Sequence, residues 1–110
     1  MRVAAASKDG RLIDQHFGHA ERFLIFDADE SGVNLVEERR VEKYCSGDPE
    51  HLYDPERTKN IFDALKDCSI LLVSRIGTRP EKELEKCGIK VFMIYDRIEE
   101  GIKAVMSGGL

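Results

Sequence analysis

The sequence is poor in cysteine. Its three cysteines, Cys45, Cys68 and Cys87, are an odd number and include no C-x-x-C pair. This spacing favours neither a disulfide framework nor a structural zinc site, and it provides too few thiolates for an ordinary four-cysteine iron–sulfur cluster. Any metal bound by this chain must therefore be held by few protein ligands.

The sequence also lacks a long apolar run and a cluster of basic residues. No stretch approaches the roughly 18 apolar residues that span a bilayer, and the apolar segment near the N-terminus is too short for a secretory signal. The formal net charge is -4, with acidic and basic residues interleaved, whereas nucleic-acid binding needs clustered Lys and Arg. We therefore predict no membrane partner, no nucleic-acid partner and a cytoplasmic location.

The overall composition is typical of a globular protein. The chain has 110 residues, of which 42% are hydrophobic and 35% are charged. A chain of this size buries enough apolar surface for one core without disulfides. We expect a single domain over residues 1–110. The sequence does not indicate an oligomeric state.

Apolar periodicity predicts the element order β-β-β-α-β-α-β-α. A polar turn of hairpin length joins strands two and three, and strand three ends in the charged tail 37–40. A long loop, of the kind that is usually functional or disordered, covers residues 41–54. The predicted strands are 2–7, 22–28, 33–36, 69–74 and 90–95, and the predicted helices are 55–66, 78–87 and a last helix after Asp96.

Helix-capping patterns support the three predicted helices. Asp54 precedes Pro55, which is typical of an N-cap followed by proline at the first helical position. Thr78 and Glu81 have the spacing of a capping box, and Asp96 is positioned to cap the last helix.

These elements predict an α/β fold with a five-stranded mixed sheet. Right-handed crossovers place strands four and five beyond strand one, which gives the order 3-2-1-4-5 with strand two antiparallel and three helices packed on the sheet. The loops after strands one, three, four and five then emerge at one edge, where ligands of open α/β sheets usually bind. We expect residues 8–21, the Cys45 loop, residues 75–77 and residues 96–97 to meet there.

The segment 8–21, here called the histidine loop, is the strongest candidate for binding chemistry. It contains two of the three histidines, His16 and His19, on either side of Gly18. Loops carry binding chemistry when a rigid scaffold positions them, and imidazole is the commonest metal ligand among side chains. The alternative is that both imidazoles hydrogen-bond loop carbonyls.

Three stretches of the chain also resemble a known family. They are "DQHFGHAERFLIFD", "EKYCSGD" and "ALKDCSILLVSRIGTRPEKELEKCGIKVF". In this order they are similar to the dinitrogenase iron-molybdenum cofactor biosynthesis family, of the NifX and NifB C-terminal type. D-x-H-F-G followed by an aromatic-rich strand is the most specific part, and the likeness covers nearly the whole chain.

The resemblance implies a ribonuclease H-like fold and a role in nitrogen fixation. Family members bind iron-molybdenum cofactor or its iron–sulfur precursor, so donor and acceptor proteins of cofactor assembly are the implied partners. Carried onto this sequence, the resemblance implicates His16 first, Cys45 as a candidate thiolate ligand, and then His19. The three-cysteine radical-SAM motif of NifB is absent, so we expect no synthesis of the precursor by this chain.

The chemistry of the residues fits a carrier of such a cluster. A metal–sulfide cluster supplies its own sulfides and leaves one or two positions for an imidazole or a thiolate. Gly18 would let the backbone approach closely, and Arg75, with Arg79 and Arg97, would offset the negative charge of the cluster.

Several residues have a structural alternative. Cys45 is a bystander if its loop binds nothing, and Arg75 simply pairs with Asp96 if it has no ligand. Cys68 and Cys87 lie at the edges of apolar elements and are expected to be small buried hydrophobes. Phe17 is expected to anchor the histidine loop to the core.

Three function classes follow from these observations. The first is a non-catalytic carrier of an iron–sulfur or iron–molybdenum-type cluster. The second is a regulatory or interaction module of the same fold with no nitrogenase role. The third is a ribonuclease H-like nuclease, which needs several carboxylates around divalent metal ions, and the predicted first strand contains none.

Overall fold

A five-stranded mixed sheet lies at the centre of the computed structural model, which describes residues 1–41 and 55–108. The histidine loop contains one short 3-10 turn, Phe17–His19. The elements in chain order are β1 (Arg2–Ala5), β2 (Arg22–Asp29), β3 (Gly32–Arg40), α1 (Pro55–Leu65), β4 (Ile70–Val73), α2 (Thr78–Lys86), β5 (Lys90–Met93) and α3 (Ile98–Met106).

The strand order is β3-β2-β1-β4-β5, as predicted. β2 runs antiparallel to both of its neighbours, while β1, β4 and β5 are mutually parallel. β4 is buried along its whole length, which is typical of a strand with helices on both faces of its sheet. The predicted topology is therefore confirmed, together with the number of helices.

Each face of the sheet is covered by its own helices. Ile61 and Leu65 of α1 and Leu84 of α2 pack with Phe23 in the core cluster on one face. On the other face, α3 contributes Ile98 and Ile102 to a second cluster that contains Val3, Leu24 and Phe26. Among the described residues, no helix combines the length and apolar character needed to cross a membrane.

β3 is longer than the sequence predicted. The charged segment 37–40 was expected to follow the strand, but it belongs to β3 and pairs with β2 as far as Arg22. β3 is the edge strand of the sheet, where charged side chains are common because they remain in water. A register shift between Ile25 and Phe26 interrupts the alternation near Val36, which explains the irregular apolar pattern at this strand.

Two predicted helix caps are wrong. α2 begins at Thr78 with Gly77 as its N-cap, and Glu81 donates its backbone N–H to the carbonyl oxygen of Gly77 (3.2 Å). Pro80 is tolerated in this first turn because backbone N–H groups there have no partner within the helix. α3 has Arg97, not Asp96, as its N-cap.

The third predicted cap falls partly outside the described residues. Pro55 is the first residue of α1, as predicted, whereas Asp54 lies outside the part of the chain that the structure describes.

Candidate functional site

The histidine loop is hydrogen-bonded to the loops that follow β4 and β5. The backbone N–H of Phe17 donates to the carbonyl oxygen of Arg75 (2.8 Å), and the N–H of Ser74 donates to the carbonyl oxygen of Gln15 (3.0 Å). Toward β5, the N–H of Ile13 donates to the carbonyl oxygen of Asp96 (2.8 Å). These bonds fix the loop across the carboxyl ends of the two parallel strands.

Two buried side chains anchor the histidine loop on opposite faces of the sheet. Ile13 is fully buried in the cluster beneath α3, and Phe17 is 1% exposed in the cluster beneath α1 and α2. The ring of Phe17 lies 6.1 Å from that of Phe23, measured between centroids, with the planes tilted by 41°. Because both anchors are fixed, the exposed His16 and His19 beside Phe17 are held on a rigid support.

The first half of the loop is organised by carboxylates. Oδ1 of Asp9 accepts hydrogen bonds from the backbone N–H groups of Arg11 (2.8 Å) and Leu12 (3.1 Å), which lower the pKa of this carboxyl group. Asp14 accepts the N–H of Lys8 (2.9 Å). Gly10 adopts a φ of 84°, a conformation that glycine adopts readily.

The two histidine rings are stacked. Their centroids are 5.4 Å apart and their planes differ by only 11°. The lone pair of an imidazole nitrogen lies in the ring plane. Two stacked, nearly parallel rings therefore hold their lone pairs in separate parallel planes, and these lone pairs do not converge on one metal ion. Among residues 1–41 and 55–108, no group of three or more His, Cys, Asp and Glu side chains is arranged to hold a metal ion.

Arg75 lies directly beside His16. The two residues form an isolated parallel β-bridge, and both side chains are exposed. Asp96, the alternative ion-pair partner, accepts the backbone N–H of Arg97 (2.7 Å). The bridge therefore places a basic residue and His16 side by side at the rim of the sheet.

A cleft of about 420 Å³ adjoins the histidine pair, with His19 in its wall. It lies where β1 ends, β2 begins and β3 ends, so it opens at the same rim of the sheet. Its lining residues are Ser7, Lys8, Gln15, His19, Glu21, Arg22 and Arg40.

Comparison with known proteins shows the family of this chain. Residues 1–108 match the family model described as dinitrogenase iron-molybdenum cofactor. The chain belongs to this family. It is similar to the FeMo cofactor biosynthesis protein NifB of Azotobacter vinelandii, with 39% identity over 105 residues, and to that of Klebsiella pneumoniae, with 42% identity over 90 residues.

The match covers only part of these relatives. It spans 94% of this chain but 21% of the Azotobacter protein, and 80% of this chain but 19% of the Klebsiella protein. Among solved structures, the crystal structure of PH0822 superimposes with a TM-score of 0.69 at 29% identity, over 98% of this chain and 92% of that one. This member of the dinitrogenase cofactor family therefore shares its fold with PH0822 over nearly the whole chain.

Four of the five predicted site residues lie close together in the structure. His16, Gly18 and His19 lie in or next to the 3-10 turn of the histidine loop, and Arg75 is the bridge partner of His16. Cys45, the fifth residue, lies outside the described residues. Its predicted place beside His16 stays a prediction.

The basic wall of the cleft was not predicted from the sequence. Arg22 and Arg40 are directly opposite one another on β2 and β3, and Lys8 lies in the same cleft. Arg40 belongs to the charged segment 37–40, which was predicted to be a tail that follows the strand. Once the segment is placed in β3, its pairing brings Arg40 to Arg22.

Proposed function

We propose that this chain is a non-catalytic domain that binds and carries iron-molybdenum cofactor, or the iron–sulfur precursor of that cofactor. The observation that carries this proposal is the exposed pair of stacked imidazoles, held rigidly at the carboxyl rim of the sheet. Membership of the dinitrogenase cofactor family and similarity to NifB proteins support the class of cargo.

His16 is the proposed primary ligand. Its backbone belongs to the bridge with Arg75, so the position of the imidazole is set by the sheet and not by a free loop. A neutral imidazole can complete the coordination of one iron or molybdenum atom in a preformed cluster. His19, whose ring is stacked on that of His16, can contact a neighbouring part of the same cluster.

Few protein ligands make the cargo releasable. A site with one imidazole and one thiolate contributes less to cluster retention than the four-cysteine sites of resident iron–sulfur clusters. Cys45 is the proposed thiolate, and Arg75 is proposed to offset the negative charge of the cluster. Metallocluster donor and acceptor proteins of cofactor assembly are the proposed partners.

The absence of a catalytic role is part of the same proposal. A ribonuclease H-like nuclease requires several carboxylates around divalent metal ions. β1 (Arg2–Ala5) contains neither Asp nor Glu. The ribonuclease H-like description of the fold, which came from the family resemblance, stays a prediction.

The first test measures cargo retention by the His16→Ala variant. The protein is incubated anaerobically with isolated iron-molybdenum cofactor and separated by gel filtration, and the iron and molybdenum that co-elute are measured. We expect retention to fall about tenfold, which corresponds to the loss of roughly 1.4 kcal/mol of binding free energy. Glu30→Ala, in the exposed turn at the other end of the sheet, is the control and should retain cargo like the parent.

Retention of as much metal by His16→Ala as by the parent would exclude the proposed ligand. Cys45→Ser tests the second ligand in the same assay, and a reduction that adds to that of His16→Ala is expected. If the parent binds no cluster but purifies with a consistent protein partner, the regulatory or interaction module becomes the better description.

A further inference from the structure

The cleft beside the histidine pair concentrates cations at one rim of the sheet. Arg22 and Arg40 are directly opposite cross-strand partners, and Lys8 lines the same cleft of about 420 Å³. Like charges directly opposite one another on a sheet are destabilising. A structure that keeps three cations here therefore needs negative charge nearby.

Among residues 1–41 and 55–108, two carboxylates lie in or next to the cleft. Glu38 lies 3.4 Å from Nη1 of Arg22 and 3.4 Å from Nη2 of Arg40, so one carboxylate is shared by two guanidinium groups. Glu21 is a second carboxylate in the cleft wall. Positive charge exceeds negative charge by one among these five side chains.

The guanidinium of Arg22 is held in place by the backbone. Its Nε donates to the carbonyl oxygen of Ser7 (3.3 Å), and its Nη2 donates to the carbonyl oxygen of Lys8. Nη1 donates to Glu38 (3.4 Å). A guanidinium has five N–H donors, so contacts with the described residues leave one donor on each terminal nitrogen for a ligand. An arginine fixed in this way loses little side-chain entropy when it binds an anion.

We propose that this cleft is a binding site for a small oxyanion. Phosphate and short dicarboxylates share the required chemistry, which is several acceptor oxygens on a compact anion. Arg22 binds one face of the anion, and Lys8 and Arg40 close around it with their more exposed side chains. The site is separate from the proposed coordination by His16, although His19 lies between them.

The experiment is a titration followed by NMR. The uniformly 15N-labelled chain is titrated with sodium phosphate, with sodium malonate, and with sodium chloride at matched ionic strength and pH. We expect saturable shifts of the backbone amides of Lys8, Arg22 and Arg40 with phosphate or malonate, and only small linear shifts with chloride. The first two arms distinguish a phosphoryl group from a dicarboxylate as the preferred anion.

Two variants test the cleft without disturbing the fixed arginine. Lys8→Gln combined with Arg40→Gln should weaken anion binding at least about tenfold, because both residues are exposed and each loses a charge. Lys90→Gln removes an exposed charge at the start of β5, at the opposite end of the sheet, and should leave the affinity within about twofold of the parent.

The outcome is independent of cluster binding. His16→Ala should bind phosphate or malonate like the parent even if it no longer retains metal. Shifts that follow ionic strength alone, or an unchanged affinity in the Lys8→Gln/Arg40→Gln variant, would overturn the proposal.

Discussion

Phe17 separates the two histidines and fixes both of them. Its side chain is 1% exposed and lies beneath α1 and α2, while His16 and His19 on either side are in solvent. Its backbone N–H is also the donor that joins the histidine loop to Arg75. One buried residue thus connects the hydrophobic core to the proposed ligand.

Removing the Phe17 ring should strongly lower the stability of the folded protein. We expect Phe17→Ala to lower the free energy of unfolding by about 3–5 kcal/mol, which is typical of a large aromatic side chain deleted from a core. Urea denaturation monitored by circular dichroism measures this loss. Tyr95→Ala removes a ring that is 73% exposed and should change stability by no more than about 0.5 kcal/mol. Equal effects of the two substitutions would mean that Phe17 is not an anchor.

The described cysteines differ in a way that residue type alone does not indicate. Cys68 is buried, as expected, and burial raises the pKa of its thiol to about 11, so the nucleophilic thiolate is rare at neutral pH. Cys87 was expected to be buried as well, but it is the exposed C-cap of α2. The C-terminal residue of a helix is placed by the chain reversal that follows it, so its apolar neighbours do not determine its burial.

At the scale of elements, α3 depends on one glycine. A Cβ added at Gly101 would lie 2.7 Å from Cδ1 of Ile13 and 3.5 Å from Cδ1 of Leu72. Glycine normally destabilises the interior of a helix, but here it allows α3 to approach the sheet closely. Because Ile13 anchors the histidine loop, this close contact also supports the candidate site.

Gly101→Val should therefore destabilise the protein despite the higher helix propensity of valine. We expect a loss of about 1–3 kcal/mol, the usual cost of overpacking a core, measured by thermal and urea denaturation. Lys103→Val introduces the same side chain at an exposed position of α3 and should cost less than about 1 kcal/mol. A gain of stability in Gly101→Val would show that helix propensity outweighs the steric contact.

At the scale of the whole molecule, an ion-pair network joins the sheet to the connection between α1 and β4. Arg2 in β1 pairs with Asp27 in β2 and with Asp67 after α1, each at 3.0 Å. Arg39 in β3 also binds Asp67, with Nη2 2.8 Å from Oδ2. Asp67 therefore joins β1 and β3 directly, and β2 through Arg2, to the connection between α1 and β4.

This network makes stability depend on pH. Hydrogen bonds from Arg39 and then from Arg2 hold the pKa of Asp67 well below its usual range. A carboxyl group with a lowered pKa in the folded state stabilises the protein above its unfolded pKa of about 3.9, and that contribution is lost as the pH falls below this value. The parent should accordingly lose stability between about pH 5 and pH 2.

Asp67→Asn isolates this contribution. We expect the variant to be about 1 kcal/mol less stable than the parent at pH 7, because these ion pairs are partly exposed to solvent, and the difference should shrink as the pH falls from about 5 toward 2. Urea denaturation at each pH measures it. Asp63→Asn, on the exposed part of α1, is the control. A difference between parent and Asp67→Asn that does not change with pH would contradict the assignment.

The sequence by itself determined the strand order, the number of helices and the edge where the histidine loop and Arg75 meet. These features follow from apolar runs and the handedness of crossovers, which are local or general properties of chains. Tertiary structure alone decided the length of β3, the caps of α2 and α3, the stacking of His16 on His19, and the pairing of Arg22 with Arg40. Each of these depends on register or on loop geometry. Register depends on the apolar patterns of both paired strands and on the turn between them, so it is fixed only when the strands pair.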